Sequence, residues 1–213
     1  ALVIPSFLAY DQAMRLLAVI VFLVAALPQP LAAQVYEAAV TANKRGDYLT
    51  AIKYLRPLAE KGVPEAQALL GAMYAQGRGV PPDPAKAIKW FRKGIEQGNH
   101  WAQHNLGFMY AQGHGVPKNY FEAAKWFRRA ANQGNADAQS NLGAMYSVGR
   151  GVPQDFVQAY IWLSVAVDNG AKFALANLKN VMGQLTKKEL KNANVISKLC
   201  LKKTASCPEY SDD

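Results

Sequence analysis

Residues 70–91 read LGAMYAQGRGVPPDPAKAIKWF, residues 106–127 read LGFMYAQGHGVPKNYFEAAKWF, and residues 142–163 read LGAMYSVGRGVPQDFVQAYIWL. One pattern is written three times at a spacing of thirty-six residues. A fixed period of this size marks an architecture of stacked units, each too small to bury its apolar side alone.

Each recurring position has a physical job. Asp47, Asp83, Asn119 and Asp155 lie thirty-six apart, each ahead of a helical apolar pattern. Their short polar side chains suit a helix N-cap, and Pro84 suits the first helical position. Gly62, Gly98, Gly134 and Gly170 form a second ladder, placed where a left-handed residue ends a helix. The two ladders predict one helix per repeat at about 48–61, 84–97, 120–133 and 156–169. The other helix of each repeat carries AQALLGAMY, AQHNLGFMY or AQSNLGAMY. Ala66, Leu70, Met73 and Tyr74 show its helical spacing. Gly71, Gly107 and Gly143 sit in its middle, where each costs about 1 kcal/mol relative to Ala. A cost repeated three times implies close approach of a neighbour, with Trp90, Trp126 and Trp162 expected as the bulky partners, beside Phe91, Phe127 and Leu163. Val80, Val116 and Val152, each before a proline, are expected to tuck the connecting loops inward. The loops are glycine-rich but lack GxxxxGK[ST] and follow no strand, so they are not phosphate loops.

The ends differ from the middle. Residues 34–65 form a helix pair with a short connection at Lys44–Gly46, and residues 66–172 hold the three full repeats. Residues 173–203 keep the repeat phase at Ala174, Asn177 and Leu178, then form a last helix opened by the capping box Thr186–Glu189. A solenoid needs such altered terminal units to cover its end faces. Residues 204–213 are read as an irregular tail. The fold class expected is all-α: an α–α superhelix of about five antiparallel helix pairs.

The wording AxxxLGxxYxxGxGVPxDxxxAxxWxxxAAxxGxAxAQ resembles the Sel-1-like repeat family, relatives of the tetratricopeptide repeat with a longer loop between helices. The resemblance covers roughly residues 34–203 and is most specific over 66–170; the opening pair looks more like a tetratricopeptide unit. It implies an α-solenoid that binds other proteins, with bacterial members often periplasmic or secreted. Some cysteine-rich members were linked to β-lactam binding or hydrolysis, but their regular cysteine pairs are absent here.

The N-terminal region reads as an export signal. Met14-Arg15 precedes the apolar run LLAVIVFLVAAL and the small-residue stretch PQPLAAQ. Met14 is read as the initiator and cleavage is expected after Ala33, leaving a periplasmic or secreted chain starting at Gln34, with no stable membrane span. Such a run is short of the ~20 apolar residues that span a bilayer. Export places Cys200 and Cys207 in an oxidising compartment, where they are a candidate disulfide.

Catalysis would leave a constellation that breaks the repeat. His100 and His104 are four apart without an HExxH motif, and His104 and His114 occupy variable positions read as exposed. Serines lack a Gly-x-Ser-x-Gly setting, and the acidic residues sit at caps or first turns. No catalytic residue, metal site or cofactor is expected, and the chain is read as not an enzyme. Binding leaves another trace, polar positions repeated in phase: Asn105, Asn141 and Asn177, and Gln67, Gln103 and Gln139. One reading puts Asn105 and Asn141, with His104, Phe108 and Gln112, against a peptide on a concave face. The other has these amides bonding neighbouring repeats to hold the stack together. The net charge of +9 concentrates on the second helices and the C-terminal end. No nucleic-acid motif accompanies it.

The function expected is an exported adaptor or scaffold binding a peptide or protein. The alternatives are a cell-wall-directed hydrolase or β-lactam-binding protein, and a scaffold for polyanionic glycan.

Overall fold

The computed structural model describes residues 31–202, which form ten α-helices and no strand. Cys207 and the apolar N-terminal run lie outside these residues, and the expected cleavage point after Ala33 falls in the first turn of the first helix. The helices come in consecutive twos: α1 (Leu31–Lys44) and α2 (Tyr48–Glu60), α3 (Pro64–Gln76) and α4 (Pro84–Glu96), α5 (His100–Gln112) and α6 (Tyr120–Asn132), α7 (Ala136–Val148) and α8 (Phe156–Asp168), and α9 (Ala174–Met182) and α10 (Lys187–Lys202).

The caps act as the sequence requires. The side chains of Asp47, Asp83, Asn119 and Asp155 accept from the backbone N–H three residues on, at 3.2, 2.9, 3.1 and 2.9 Å. Each satisfies a donor that the first helical turn leaves without a partner. Asn99 and Asn135 do the same for α5 and α7, at 2.9 and 2.8 Å. At the far ends of α3, α5 and α7, Gly77, Gly113 and Gly149 take the left-handed conformation and donate to the carbonyls of Met73, Met109 and Met145. The loop then folds back, and the N–H groups of Asp83, Asn119 and Asp155 donate to the carbonyls of Tyr74, Tyr110 and Tyr146. Leftover carbonyls at the helix end are thereby used, and the long loop is tied down. Val80, Val116 and Val152 are half-buried and pack against the core, as expected.

The mid-helix glycines do mark close approach, but the residue that approaches is not tryptophan. A β-carbon on Gly71 would lie 2.7 Å from the Phe91 ring, one on Gly107 would lie 3.0 Å from the Phe127 ring, and one on Gly143 would lie 2.7 Å from Cγ of Leu163. Trp90 and Trp126, one residue earlier, turn toward the joint with the preceding unit. Trp90 packs on the cluster of Leu55, Leu70 and Met73, and Trp126 on that of Ile88, Leu106 and Met109. One residue on a helix is about 100° of rotation, enough to exchange the two roles. Phe91 is 1% and Phe127 3% exposed; truncating such a ring to Ala typically costs about 3–5 kcal/mol.

The second helices α2, α4, α6 and α8 each pack on their own first helix and on the first helix of the next unit. Successive first helices also touch, at α3–α5 and α7–α9, whereas successive second helices of the repeats make no comparable contact. The first helices thus form one side of the stack, its inner face. In the closing unit α9 and α10 both dock on α8 in preference to each other. The reciprocal Thr186–Glu189 box opens α10, with Thr186 N donating to Glu189 at 2.8 Å and Glu189 N to Thr186 at 3.3 Å.

Candidate functional site

The in-phase amides separate into two groups once the helices are stacked. Gln67 is buried where three helices meet. Its nitrogen donates to the Ala59 carbonyl of α2 at 3.0 Å, and its oxygen accepts from Gln97 at the end of α4 at 2.8 Å. Gln139 repeats the arrangement, donating to the Ala131 carbonyl at 3.0 Å and accepting from Asn169 at 2.9 Å. Gln103 accepts from Gln133 at 2.9 Å. Both ends of Gln67 and Gln139, and the oxygen of Gln103, serve the stack, as buried polar groups must.

Asn141 also works across a joint. Its amide nitrogen lies 3.1 Å from Nε2 of His104 on the preceding first helix. The His104 ring packs on Phe127, 5.6 Å between centroids. The expectation that His104 is an exposed, drifting position is therefore corrected: the ring is a half-buried part of the α5–α7 joint. His114, by contrast, is exposed. Burial holds His104 below the ordinary imidazole range, opposed by the Asp137 carboxylate and the Asn105 amide, with the charge of His100 adding to the depression. His100 makes a second bond across the same joint, Nδ1 to the Asn135 amide at 3.1 Å. It too is held down by burial, opposed by Glu65.

Asn105 occupies the same register as Asn141, thirty-six residues earlier, but faces a different neighbour. The counterpart of His104 in the preceding repeat is Ala68, whose methyl offers no polar atom across the joint. Where His104 fills the α5–α7 joint, the small Ala68 leaves a cavity of about 160 Å³ at the α3–α5 joint, lined by Ala68, Leu69, Trp101 and Asn105 and closed by Tyr36 and Glu65. A second cavity of about 340 Å³ adjoins it, lined by Asn105, Phe108 and Met109 of α5, with Ala72 and Ala75 of α3 and Phe91 beneath. Asn105 lines both. Trp101 is 47% and Phe108 46% exposed, high values for large apolar side chains. The Tyr36 hydroxyl titrates above its ordinary range, through burial first and then the carboxylates of Glu65 and Glu37.

The geometry thus brings Asn105 and Phe108 together on the inner face and puts His104 and Asn141 into a neighbouring joint. Gln112 is exposed at the end of α5, outside both linings. Trp101, Tyr36 and Leu69 belong to the site and were not foreseen. Trp101 breaks the repeat, since Glu65 and Asp137 hold its position in the neighbouring copies, and that break was the available signal. Among the described residues no three His, Cys, Asp or Glu side chains group as a metal site, and no helix is long and apolar enough to cross a membrane. Cys200, half-buried in the last turn of α10, is disulfide-bonded.

A single line of stacked helix pairs defines an α-solenoid. The family model described as Sel1 repeat matches residues 43–63, 64–99, 102–135 and 136–170, and the chain belongs to the Sel1 repeat family. No curated protein matches it. A solved Sel1 repeat protein from Oxalobacter formigenes is 34% identical, with a TM-score of 0.60 over 67% of this chain and 59% of that one. The protein c5321, a protective antigen of uropathogenic Escherichia coli strains displaying an SLR fold, is 36% identical, with a TM-score of 0.72 over 82% of this chain and 38% of that one. The chain therefore spans less than two thirds of either structure. Sel1 repeat proteins are generally protein-interaction scaffolds, and the fold is typically non-enzymatic.

Proposed function

We propose that the chain is an exported interaction module of the bacterial envelope that binds a peptide or protein segment on the inner face of α1, α3 and α5. The observation that carries this reading is the pair of cavities sharing Asn105 and walled by the exposed Trp101 and Phe108. Apolar pockets with one or two fixed polar groups are the usual form of a recognition site. An aromatic anchor in such a pocket supplies most of the energy of an interface. The Asn105 amide has both a donor and an acceptor, which suits it to a peptide bond. Ligand side chains would enter the cavities while the ligand backbone lies across Asn105.

The test is a photo-crosslinking residue at position 108, compared with one at the exposed Lys53 on α2. A discrete adduct from position 108 alone supports the inner-face site. The same adducts from both positions, or none from 108, would overturn it. Export is tested separately: sequencing the chain from an envelope fraction should begin at Gln34, and recovery only from cytosol would end that part of the reading.

A further inference from the structure

We propose a second site, independent of the inner face, on the outer surface of α6: a groove that takes an acidic segment of a protein partner carrying an apolar side chain. The groove has a volume of about 350 Å³ and is lined by Phe121, Lys125, Arg128, Arg129, Asn132 and Val152. One wall is α6, and the other is the loop of the following repeat.

That loop sits unusually close. A β-carbon on Gly151 would lie 2.2 Å from the Tyr120 carbonyl oxygen, so only glycine lets the loop seat on the start of α6. Phe121 stands at the mouth, 67% exposed, where the neighbouring copies have Ala85 and Val157. An exposed phenylalanine beside Val152 gives an apolar floor.

The charge along α6 is mostly positive, and the repeat shows why. The last residue of every other second helix of the repeats is a carboxylate: Glu60, Glu96 and Asp168. In α6 it is Asn132. Lys125, Arg128 and Arg129 therefore share one face of α6 with no carboxylate at the helix end, and the acid of α6 itself is Glu122 in its first turn. They are also positioned. Arg129 lies over the Trp126 ring, 4.8 Å from its centroid, and Arg128 donates to the Tyr146 hydroxyl while lying over that ring. Lys125 pairs with Glu122 at 3.6 Å, an exposed contact that a ligand carboxylate displaces at little cost. The Asn132 amide oxygen is buried without a hydrogen-bond partner, so turning the amide to a ligand N–H recovers a bond that the unbound protein lacks.

An acidic peptide is favoured over a uniform polyanion by the mixture. A polyanion would spread over the cations of α4 as well as α6, and would gain nothing from Phe121 and Val152. A peptide alternating acidic and apolar side chains matches both kinds of lining. It also exploits charge complementarity for its rate of association.

The experiment measures anisotropy of a short fluorescein-labelled peptide alternating Glu with Leu and Phe. Its counterpart with Gln for Glu, heparin, and vesicles containing an anionic phospholipid are run beside it. Lys125→Glu with Arg129→Glu should weaken the Glu peptide about tenfold or more, and Phe121→Ser should weaken it severalfold. The Gln peptide should bind poorly. Lys89→Glu with Lys93→Glu, the same positions on α4, should change little, and so should Asn105→Ala on the inner face. Arg129→Gln serves as a milder variant should the double reversal fail to fold by circular dichroism. Equal weakening by the α4 reversal would show diffuse charge and overturn the proposal. Binding of heparin or vesicles through Lys125 and Arg129 without binding of the Glu peptide would overturn it too.

Discussion

The amide nitrogen of Asn141 lies 3.1 Å from Nε2 of His104 across the α5–α7 joint, while Asn105, in the same register one repeat earlier, meets Ala68 and borders two cavities. Two residues that look equivalent thus have separable roles. Asn141→Ala strands a half-buried imidazole nitrogen and should cost about 1–2 kcal/mol, read as a lower urea midpoint, with ligand capture at position 108 unchanged. Asn105→Ala leaves the Asn141–His104 contact in place and removes only the Asn105 hydrogen bond to His104, so it should cost less than Asn141→Ala, up to about 1 kcal/mol, while weakening that capture. The opposite assignment of the two effects would refute the division.

The same joint makes stability depend on pH. Asn135 uses its oxygen to cap α7 at Ala138, so it presents its nitrogen to Nδ1 of His100. A protonated His100 would set N–H against N–H there, and at His104 burial disfavours the charged ring. The carboxylates of Glu65 and Asp137, with the Asn105 amide at His104, oppose the effect without reversing it. Both imidazoles titrate below their ordinary value of 6.5, so the unfolded chain binds more protons and stability rises with pH. Their contribution is fully present above about pH 6.5 and is lost as pH falls from there through the folded-state values. Urea midpoints measured between about pH 5 and pH 8 should decline on the acid side. The double variant His100→Gln with His104→Gln should flatten that part of the profile; an unchanged profile would remove the histidines from the account.

How much of this was written in the sequence differs by kind of interaction. Local chemistry was legible: the caps at Asp47, Asp83, Asn119 and Asp155 involve residues three apart, and the helix ends followed from them. The glycine gap was legible as a gap, but its filler was not. Trp90 and Phe91 are adjacent and both apolar, and only the angle between helices decides which one enters. The amides were the least legible. Asn105 and Asn141 carry identical signals, and the difference between them rests on Ala68 and His104, each thirty-seven residues back and meaningful only once the repeats are stacked. The outer groove was visible as basic residues, but its acid-free helix end at Asn132 stands out only when the four second helices are aligned by their ends.

The oxidised C-terminus is a further test. Cys200 is disulfide-bonded, and Cys207 is the other cysteine of the chain. Thiol titration of the unreduced, denatured protein should find none, and Cys200→Ser should release one. Reduction should loosen α10, with a loss of up to about 2 kcal/mol. Hydrogen exchange should rise first at Ala193 and Ser197, the buried residues that α10 contributes to the end of the core. A disulfide-linked dimer on a non-reducing gel would show instead that the cysteines pair between chains.

Replacing the mid-helix glycines by alanine sets two effects against each other. Alanine favours the helix by about 1 kcal/mol, and its methyl must find room. At Gly107 the obstacle is the edge of the Phe127 ring, 3.0 Å from the added carbon, with the Ala123 carbonyl at 3.2 Å. A ring can tilt by a few tenths of an ångström, so Gly107→Ala should be nearly neutral or lose about 1 kcal/mol. At Gly143 the obstacles are Cγ of Leu163 at 2.7 Å, and the Ala159 carbonyl and Leu163 nitrogen, both at 3.1 Å. A branched carbon held between two backbone atoms cannot swing aside, and α8 would have to move while α9 and α10 both rest on it. Gly143→Ala should therefore lose about 2–3 kcal/mol net of the helix gain and should lower protection across α8, α9 and α10. If the two substitutions cost the same, helix propensity rather than contact at Phe127 and Leu163 governs these positions, and the packing account of the repeat falls with it.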